Sequence, residues 1–162
     1  MGSVQEALAM RSCKSQRKAV VMAVDKILVA YDKSDCAKRA LDLAIDVAGN
    51  NPDAHVDVTY VVPIPMLDNA QVSDFQEILE HMIEDGKQVL SKAIEELDTD
   101  VEVDGFVMTG VSPATEIIRL VEQNDYDVIV IGNRGLNGIK EYMGSVSHKV
   151  LHGVQIPVLI AK

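Results

Sequence analysis

The sequence predicts an α/β protein with a doubly wound, five-stranded parallel sheet and helices on both faces. Short apolar runs at strand length alternate along the chain with longer segments in which apolar residues recur at helical spacing. The strand runs are almost continuously apolar, as in parallel strands that are buried on both faces. The 162 residues, 48% of them hydrophobic, suit one domain with its own core.

The first strand of this prediction spans residues 26–32 and ends in an acid. A helix follows, which either Ser34 or Asp35 caps and which Gly49 ends. The second strand spans His55–Val62 and stops at prolines.

The middle of the chain predicts two further helices and a strand. Residues 73–97 carry apolar side chains along one face of a long helix, and the acidic opposite face is typical of a solvated surface rather than a metal site. The third strand spans Val101–Met108. A helix then runs from Pro113 to Gln123, with Ser112 as its cap.

The C-terminal part predicts a fourth strand over Asp127–Gly132, a Gly-rich loop, a helix over Ser145–His152 and a last strand over Gln155–Ala161. The fourth strand is nearly all β-branched, which favours a central position in the sheet. The last strand is expected at a sheet edge, where it is open to pairing with another chain.

The Gly-rich loop is the segment with the clearest chemistry. It leaves a buried strand at Gly132 and enters a helix at Gly144 and Ser145. Unpaired N–H groups and the dipole at a helix start favour an anion, and Arg134 and Lys140 add positive charge to an otherwise acidic chain. Glycines at strand and helix ends are also typical of turns and caps, so the local pattern leaves phosphate binding and a structural role both open.

Several other classes of site are excluded by their missing patterns. The sequence has no P-loop and no Gly-x-Gly-x-x-Gly after its first strand. A receiver domain would need an acidic pair after its first strand and a phosphoacceptor Asp after its third, and the third strand here ends in Met108-Thr109-Gly110, without that Asp. His148 and His152 have a spacing that can bind a metal, but no further ligand is visible near them, so we predict no metal site. No catalytic arrangement of side chains is evident.

Charge and composition limit the partners. The formal net charge of −10 argues against nucleic acids and anionic membranes. The sequence has no apolar run of the ~18 residues that a membrane span needs. Two cysteines without metal-type spacing favour a reducing, cytoplasmic location. We expect residues 1–22 to be a flexible extension and residues 23–162 to form the domain.

Together, these motifs resemble the universal stress protein family. The first strand with its Asp32-x-Ser34 end, the Gly110-to-Ile117 entry into a helix, and the Gly132-x2-Gly135 and Gly144-Ser145 pairs occur in that family's order. The resemblance covers residues 24–162 and implies a five-stranded sheet in the order 3-2-1-4-5. It also implies a homodimer through the C-terminal strand, residues 156–161.

The resemblance further implies an adenine-nucleotide site, which takes ATP, ADP or AMP either alone or together with Mg²⁺. Its residues, carried over by position, fall into three groups. Those against the adenosine are Ala30, Tyr31, Asp32 and Val61; those beside the nucleotide are Ile131 and Gly132; and those around the phosphates are Gly135, Gly144, Ser145, Val146 and Ser147.

Asp32 is expected at the ribose, with capping of the first helix as its alternative role. Tyr31 replaces a smaller residue of the family, next to the expected ribose pocket. The segment Leu136 to Met143 is one residue shorter than the family's pattern, which favours a mono- or diphosphate over a triphosphate.

The resulting hypothesis is a regulatory stress-response protein that binds adenine nucleotides and hydrolyses ATP slowly at most. An enzyme such as a slow ATPase or transferase would need a second substrate pocket, which residues 63–73 would have to form. A third hypothesis is a dimeric interaction protein whose Gly loop is structural and binds no nucleotide.

Overall fold

Five strands and four helices alternate along the chain in a computed structural model that describes residues 24–49, 51–64, 72–135 and 143–162. Their bounds are β1 Lys26–Ala30, α1 Asp35–Ala48, β2 His55–Pro63, α2 Val72–Glu95, β3 Glu102–Gly110, α3 Pro113–Gln123, β4 Val128–Gly132, α4 Ser145–Gly153 and β5 Val158–Ala161. The strands form one parallel sheet in the order β3-β2-β1-β4-β5. The predicted fold class and strand order are thereby confirmed. The predicted extension, residues 1–22, and residues 136–142 of the Gly-rich loop lie outside the described residues.

The core consists of two apolar layers, one on each face of the sheet. Ile27 and Val29 of β1 pack in the layer under α1 and α2. Leu28 and Ala30 pack in the layer under α3 and α4. This alternation follows from the two-residue period of a strand, and it explains why both faces of β1 are apolar.

The helix starts show one prediction confirmed and one only half met. The Ser34 hydroxyl oxygen accepts a hydrogen bond from the Ala37 N–H at 3.1 Å, so Ser34 caps α1. Gly49, with φ of 56°, ends that helix and donates its N–H to the Ile45 carbonyl. Ser112 occupies the cap position of α3, but its side chain makes no capping hydrogen bond. Pro113, whose φ is already helical, occupies the first turn instead.

The last strand lies at a sheet edge, as expected, with β4 as its neighbour. The carbonyls of Pro157 and Ala161 accept hydrogen bonds from the β4 side, from Ile129 N–H at 3.0 Å and Asn133 N–H at 2.7 Å. Since backbone groups alternate in direction along a strand, the backbone groups of Val158 and Ile160 point to the open edge. Of the helices in the described ranges, none has both the length and the apolar character that crossing a membrane requires.

Candidate functional site

A cavity of about 540 Å³ opens at the C-terminal ends of β1, β2 and β4. The strand order reverses between β1 and β4, and ligands of doubly wound proteins bind at such a switch point. All eleven residues that the resemblance implies line this one cavity. Six more line it without having been assigned to the site: Ala37, Thr59, Pro113, Ile117, Arg134 and Met143.

The inner walls of the cavity are apolar. Ala30 and Ile131 come from adjacent strands and belong to the core layer under α3 and α4, to which Ile117 of α3 also belongs. Val61 of β2 packs against the same layer. A flat, mostly apolar ring system suits such walls.

Tyr31 lines the cavity, but its side chain belongs to the core layer on the opposite face, under α1 and α2. Burial raises the pKa of the Tyr31 phenol, and the nearby carboxylates of Glu96, Asp32 and Asp42 raise it further. The larger side chain at this position therefore packs into the core and stays neutral.

The turn between β1 and α1 holds Asp32 at the cavity. The Asp32 carboxylate accepts a hydrogen bond from the Ser34 N–H at 3.1 Å, while Lys33 between them has a left-handed φ of 59°. Ser34 caps α1 and also donates its hydroxyl to the Arg134 carbonyl at 3.3 Å. Asp32 therefore stabilises the turn and does not itself cap the helix. Its carboxylate faces the loop from β4, because a Cβ added to Gly135 would lie 2.5 Å from its Oδ2 atom.

The two described ends of the Gly-rich loop are tied together at one carbonyl oxygen. Asn133 O accepts the Gly144 N–H at 2.7 Å and the Ser147 hydroxyl at 3.0 Å. The Ser147 oxygen also lies 3.0 Å from the Gly144 carbonyl. These contacts fix the start of α4 beside the end of β4. The hydroxyl hydrogen of Ser147 is directed to the backbone, so Ser147 shapes the site rather than offering that hydrogen to a ligand.

The start of α4 is the part of the cavity best suited to binding an anion. Gly144, Ser145, Val146 and Ser147 all line it, and α4 has no acidic side chain in its first turn. The first N–H groups of a helix have no partner within the helix and lie at the positive end of its dipole. Arg134 adds a positive charge to the same wall.

Two glycines of the motif lie close to backbone atoms of neighbouring segments. A Cβ at Gly132 would lie 2.8 Å from the Cys36 carbonyl carbon and 3.0 Å from the Ala37 nitrogen, which are backbone atoms of α1. A Cβ at Gly144 would lie 3.3 Å from both the Arg134 Cα and the Asn133 oxygen. Gly132 is therefore needed for the close packing of β4 on α1, whereas a side chain at Gly144 would require its neighbours to move by a few tenths of an ångström.

Thr59 is a cavity residue that sequence reasoning missed. Its residue surface is 1% exposed, and its hydroxyl oxygen has no hydrogen-bond partner among the described residues. Thr59 precedes Val61 by two positions and so shares its face of β2. That two-residue period is the signal by which it could have been found.

The chain is similar over most of its length to known proteins of one family. The model of the universal stress protein family matches residues 23–162. Universal stress protein Sll1388 of Synechocystis is 33% identical, over 87% of this chain and 99% of the relative. Universal stress protein YxiE of Bacillus subtilis is 32% identical, over 85% of this chain and 99% of the relative.

Several solved structures share the fold of this chain over most of its length. Protein MJ0577 of Methanocaldococcus jannaschii superposes with a TM-score of 0.74 at 26% identity, covering 86% of this chain and 96% of its own. An Arabidopsis thaliana family member solved with AMP bound has a TM-score of 0.61 at 22% identity, with coverages of 85% and 90%. An Archaeoglobus fulgidus universal stress protein in complex with dAMP has a TM-score of 0.54 at 24% identity, with coverages of 87% and 100%.

Proposed function

The chain belongs to the universal stress protein family, and from that premise we propose that it binds an adenine nucleotide in the cavity at the ends of β1, β2 and β4. One observation carries the proposal: the start of α4 and three adjacent strand ends line the same cavity. Apolar walls and an anion-binding helix end are thus brought together, as a nucleotide requires.

The orientation of the nucleotide follows from the chemistry of the lining. The base packs between the apolar side chains of Ala30, Val61 and Ile131. The phosphates lie at the start of α4, where the N–H groups of Ser145 and Val146 are available to them. Asp32 accepts hydrogen bonds from the ribose hydroxyls, because a carboxylate is an acceptor only.

The AMP and dAMP complexes of the Arabidopsis and Archaeoglobus proteins support the proposal through the fold that they share with this chain. The assignment of individual residues rests on the cavity described above. AMP and ADP are the ligands that we expect to bind best, because the loop is short. Binding of ATP, and of Mg²⁺ with the phosphates, stays a prediction.

We assign the bound nucleotide a regulatory role in the stress response, with slow ATP hydrolysis at most. Among the described lining residues, Asp32 is the only carboxylate, and one of its oxygens accepts the Ser34 N–H. A general base must lie within hydrogen-bond reach of the attacking water. Turnover of ATP well above the uncatalysed rate would contradict this assignment.

Thermal unfolding of dialysed, nucleotide-free protein tests the binding itself. AMP, ADP and ATP are added in turn at millimolar concentration, each with and without Mg²⁺. A ligand at a hundred times its dissociation constant stabilises the folded state by about 2.7 kcal/mol. For a domain of this size that raises the midpoint by about 5–10 °C.

Two variants with the same change in charge locate the site. Ser145→Asp places a carboxylate at the start of α4 and is expected to abolish the shift by repelling phosphate, while the helix itself tolerates an acid there. Gln155→Glu adds the same charge at an exposed position outside the cavity and should keep the shift. No shift of the wild type with any nucleotide would favour the interaction protein with a structural loop.

We further propose that the protein is a homodimer in which β5 pairs with its own copy. The backbone groups of Val158 and Ile160 face the open edge, and a two-fold axis beside this strand would pair the same residues of both chains. Light scattering then gives twice the chain mass of 17.6 kDa. A single-chain mass across the micromolar range would overturn this proposal without affecting nucleotide binding.

A further inference from the structure

Three metal-ligating side chains meet at the opposite end of the sheet, where β2 and β3 begin. The Nε2 atom of His55 lies 3.1 Å from Asp57 Oδ1 and 3.5 Å from Asp104 Oδ2. One ligand atom from each residue lies within 4.8 Å of the other two. The strand register brings them together, since His55 pairs with Glu102 and Asp57 pairs with Asp104.

The excess of negative charge in this cluster favours the binding of a cation. Asp57 and Asp104 are direct cross-strand neighbours, and like charges in such a pair are destabilising. Glu102 adds a third carboxylate, 3.6 Å from the Nδ1 atom of His55. An imidazole carries at most one positive charge against the three carboxylates, whereas a divalent ion balances both aspartates.

The His55–Asp57 distance of 3.1 Å is that of a hydrogen bond, and the two distances from Nε2 are also compatible with ligand atoms around one metal ion. The Nε2 atom has one ligand direction, yet it faces two carboxylate oxygens at similar distances. Zn²⁺ binds imidazole nitrogen and carboxylate oxygen at about 2.0–2.2 Å, so tetrahedral ligand atoms are about 3.3–3.5 Å apart. The separation of 3.1 Å lies slightly below that range, and the separation of 3.5 Å lies at its upper end.

Supporting contacts hold the first two ligands in position. The Tyr126 hydroxyl donates to Asp57 Oδ2 at 2.7 Å, which turns the other oxygen, Oδ1, toward His55. The pKa of Tyr126 is raised, first by burial and then by this hydrogen bond, so the phenol stays protonated and remains a donor. Glu102 faces the second ring nitrogen of His55, the place of the outer carboxylate in many zinc sites.

We propose that His55, Asp57 and Asp104 form a binding site for a divalent transition-metal ion, with Zn²⁺ as the best-matched ion. Imidazole with two carboxylates is a ligand set that zinc accepts, and a fourth position stays available to water. Asp104 is exposed and Asp57 is half-buried, so the site is open to solvent on one side.

This site is independent of the nucleotide cavity. His55 begins β2, while Val61 near the end of the same strand lines the cavity. Six residues of strand separate them by about 20 Å. The metal would therefore stabilise the start of β2 and β3 rather than take part in nucleotide chemistry.

Calorimetric titration with Zn²⁺ tests the proposal on untagged, full-length protein that has been stripped with a chelator. We expect the wild type to bind an ion that His55→Gln and Asp104→Asn each weaken by at least about tenfold. Tyr126→Phe removes the hydroxyl that donates to Asp57 and should weaken the Zn²⁺ affinity by about 10- to 100-fold. Asp104 is exposed on an edge strand, so its variant keeps the fold even if the His55 variant does not.

Two control proteins separate this site from others that attract zinc. Asp100→Asn removes a nearby exposed carboxylate outside the cluster and should bind Zn²⁺ as the wild type does. A variant with both His148→Gln and His152→Gln removes the two neighbouring, mutually tilted imidazoles of α4 and should also bind Zn²⁺ as the wild type does. Equal titrations of the wild type and Asp104→Asn, or binding lost only in the α4 double variant, would overturn the proposal.

Discussion

Replacing Thr59 by valine should stabilise the ligand-free protein, which is unusual for a buried position on a central strand. The Thr59 hydroxyl oxygen is closed off from solvent and has no hydrogen-bond partner among the described residues. Burying a hydroxyl without a partner costs about 1–3 kcal/mol. Valine has nearly the same shape and adds a methyl group to the buried surface. We expect a gain of about 1 kcal/mol, or about 2–4 °C in the midpoint of thermal unfolding.

Val58→Thr is the matched control for this experiment. Val58 is the neighbouring residue, 0% exposed, and faces the other core layer. The reverse substitution there buries a new hydroxyl and should lower the free energy of unfolding by about 1–3 kcal/mol. Urea unfolding of both variants measures the two signs directly. If Thr59→Val lowered stability as Val58→Thr does, the Thr59 hydroxyl would have a native partner and the reasoning would be refuted.

The Thr59→Val variant also tests whether the threonine at position 59 contributes to nucleotide binding. Thr59 lines the cavity, and rotation about χ1 to another staggered rotamer can move its hydroxyl to the position that its methyl group now occupies. We expect the hydroxyl to hydrogen-bond the bound nucleotide after that rotation. A net hydrogen bond of about 0.5–1.5 kcal/mol corresponds to an AMP affinity about 2- to 12-fold weaker in Thr59→Val. An unchanged affinity would make Thr59 a structural residue.

Three further substitutions test other parts of the account. Gly132→Ala places a Cβ 2.8 Å from the Cys36 backbone, so urea unfolding should show a loss of about 1–3 kcal/mol, and an unchanged midpoint would contradict the packing argument. Ser34→Ala removes both the α1 cap and the bond to the Arg134 carbonyl, which should cost about 0.5–2 kcal/mol and weaken AMP binding. Tyr126→Phe should flatten the loss of stability above about pH 10. Because the pKa of Tyr126 is raised in the folded protein, this residue does not lower the free energy of unfolding below the ordinary tyrosine range. Above that range the phenol ionises first in the unfolded chain, which lowers the free energy of unfolding of the wild type. A variant whose stability falls with pH as steeply as that of the wild type would contradict this reasoning.

The fold was predictable because each strand carries its own signal. The apolar runs of β1 and β4 are buried on both faces, and this shows in the sequence as runs without polar positions. The strand order came from the family resemblance and not from periodicity. Strand bounds shifted by one to three residues, since backbone pairing rather than side-chain type ends a strand.

The candidate site was predictable in its residues and less so in their contacts. Motif positions place Asp32 and Ser147 at the cavity, but not that Asp32 accepts the Ser34 N–H or that Ser147 bonds to backbone carbonyls. The His55 cluster escaped prediction because Asp104 reaches it only through pairing of β2 with β3. No local spacing encodes such a contact.

Mapping of backbone amide signals by nuclear magnetic resonance during an AMP titration tests the central claim most directly. The account predicts that amides at the three strand ends and the first turn of α4 shift together with one dissociation constant. The amide signals at the start of β2 and β3, around His55 and Asp104, should not shift, and they serve as the internal reference. Shifts confined to another surface, or no saturable shift up to millimolar AMP, would contradict the assignment of this cavity as a nucleotide site.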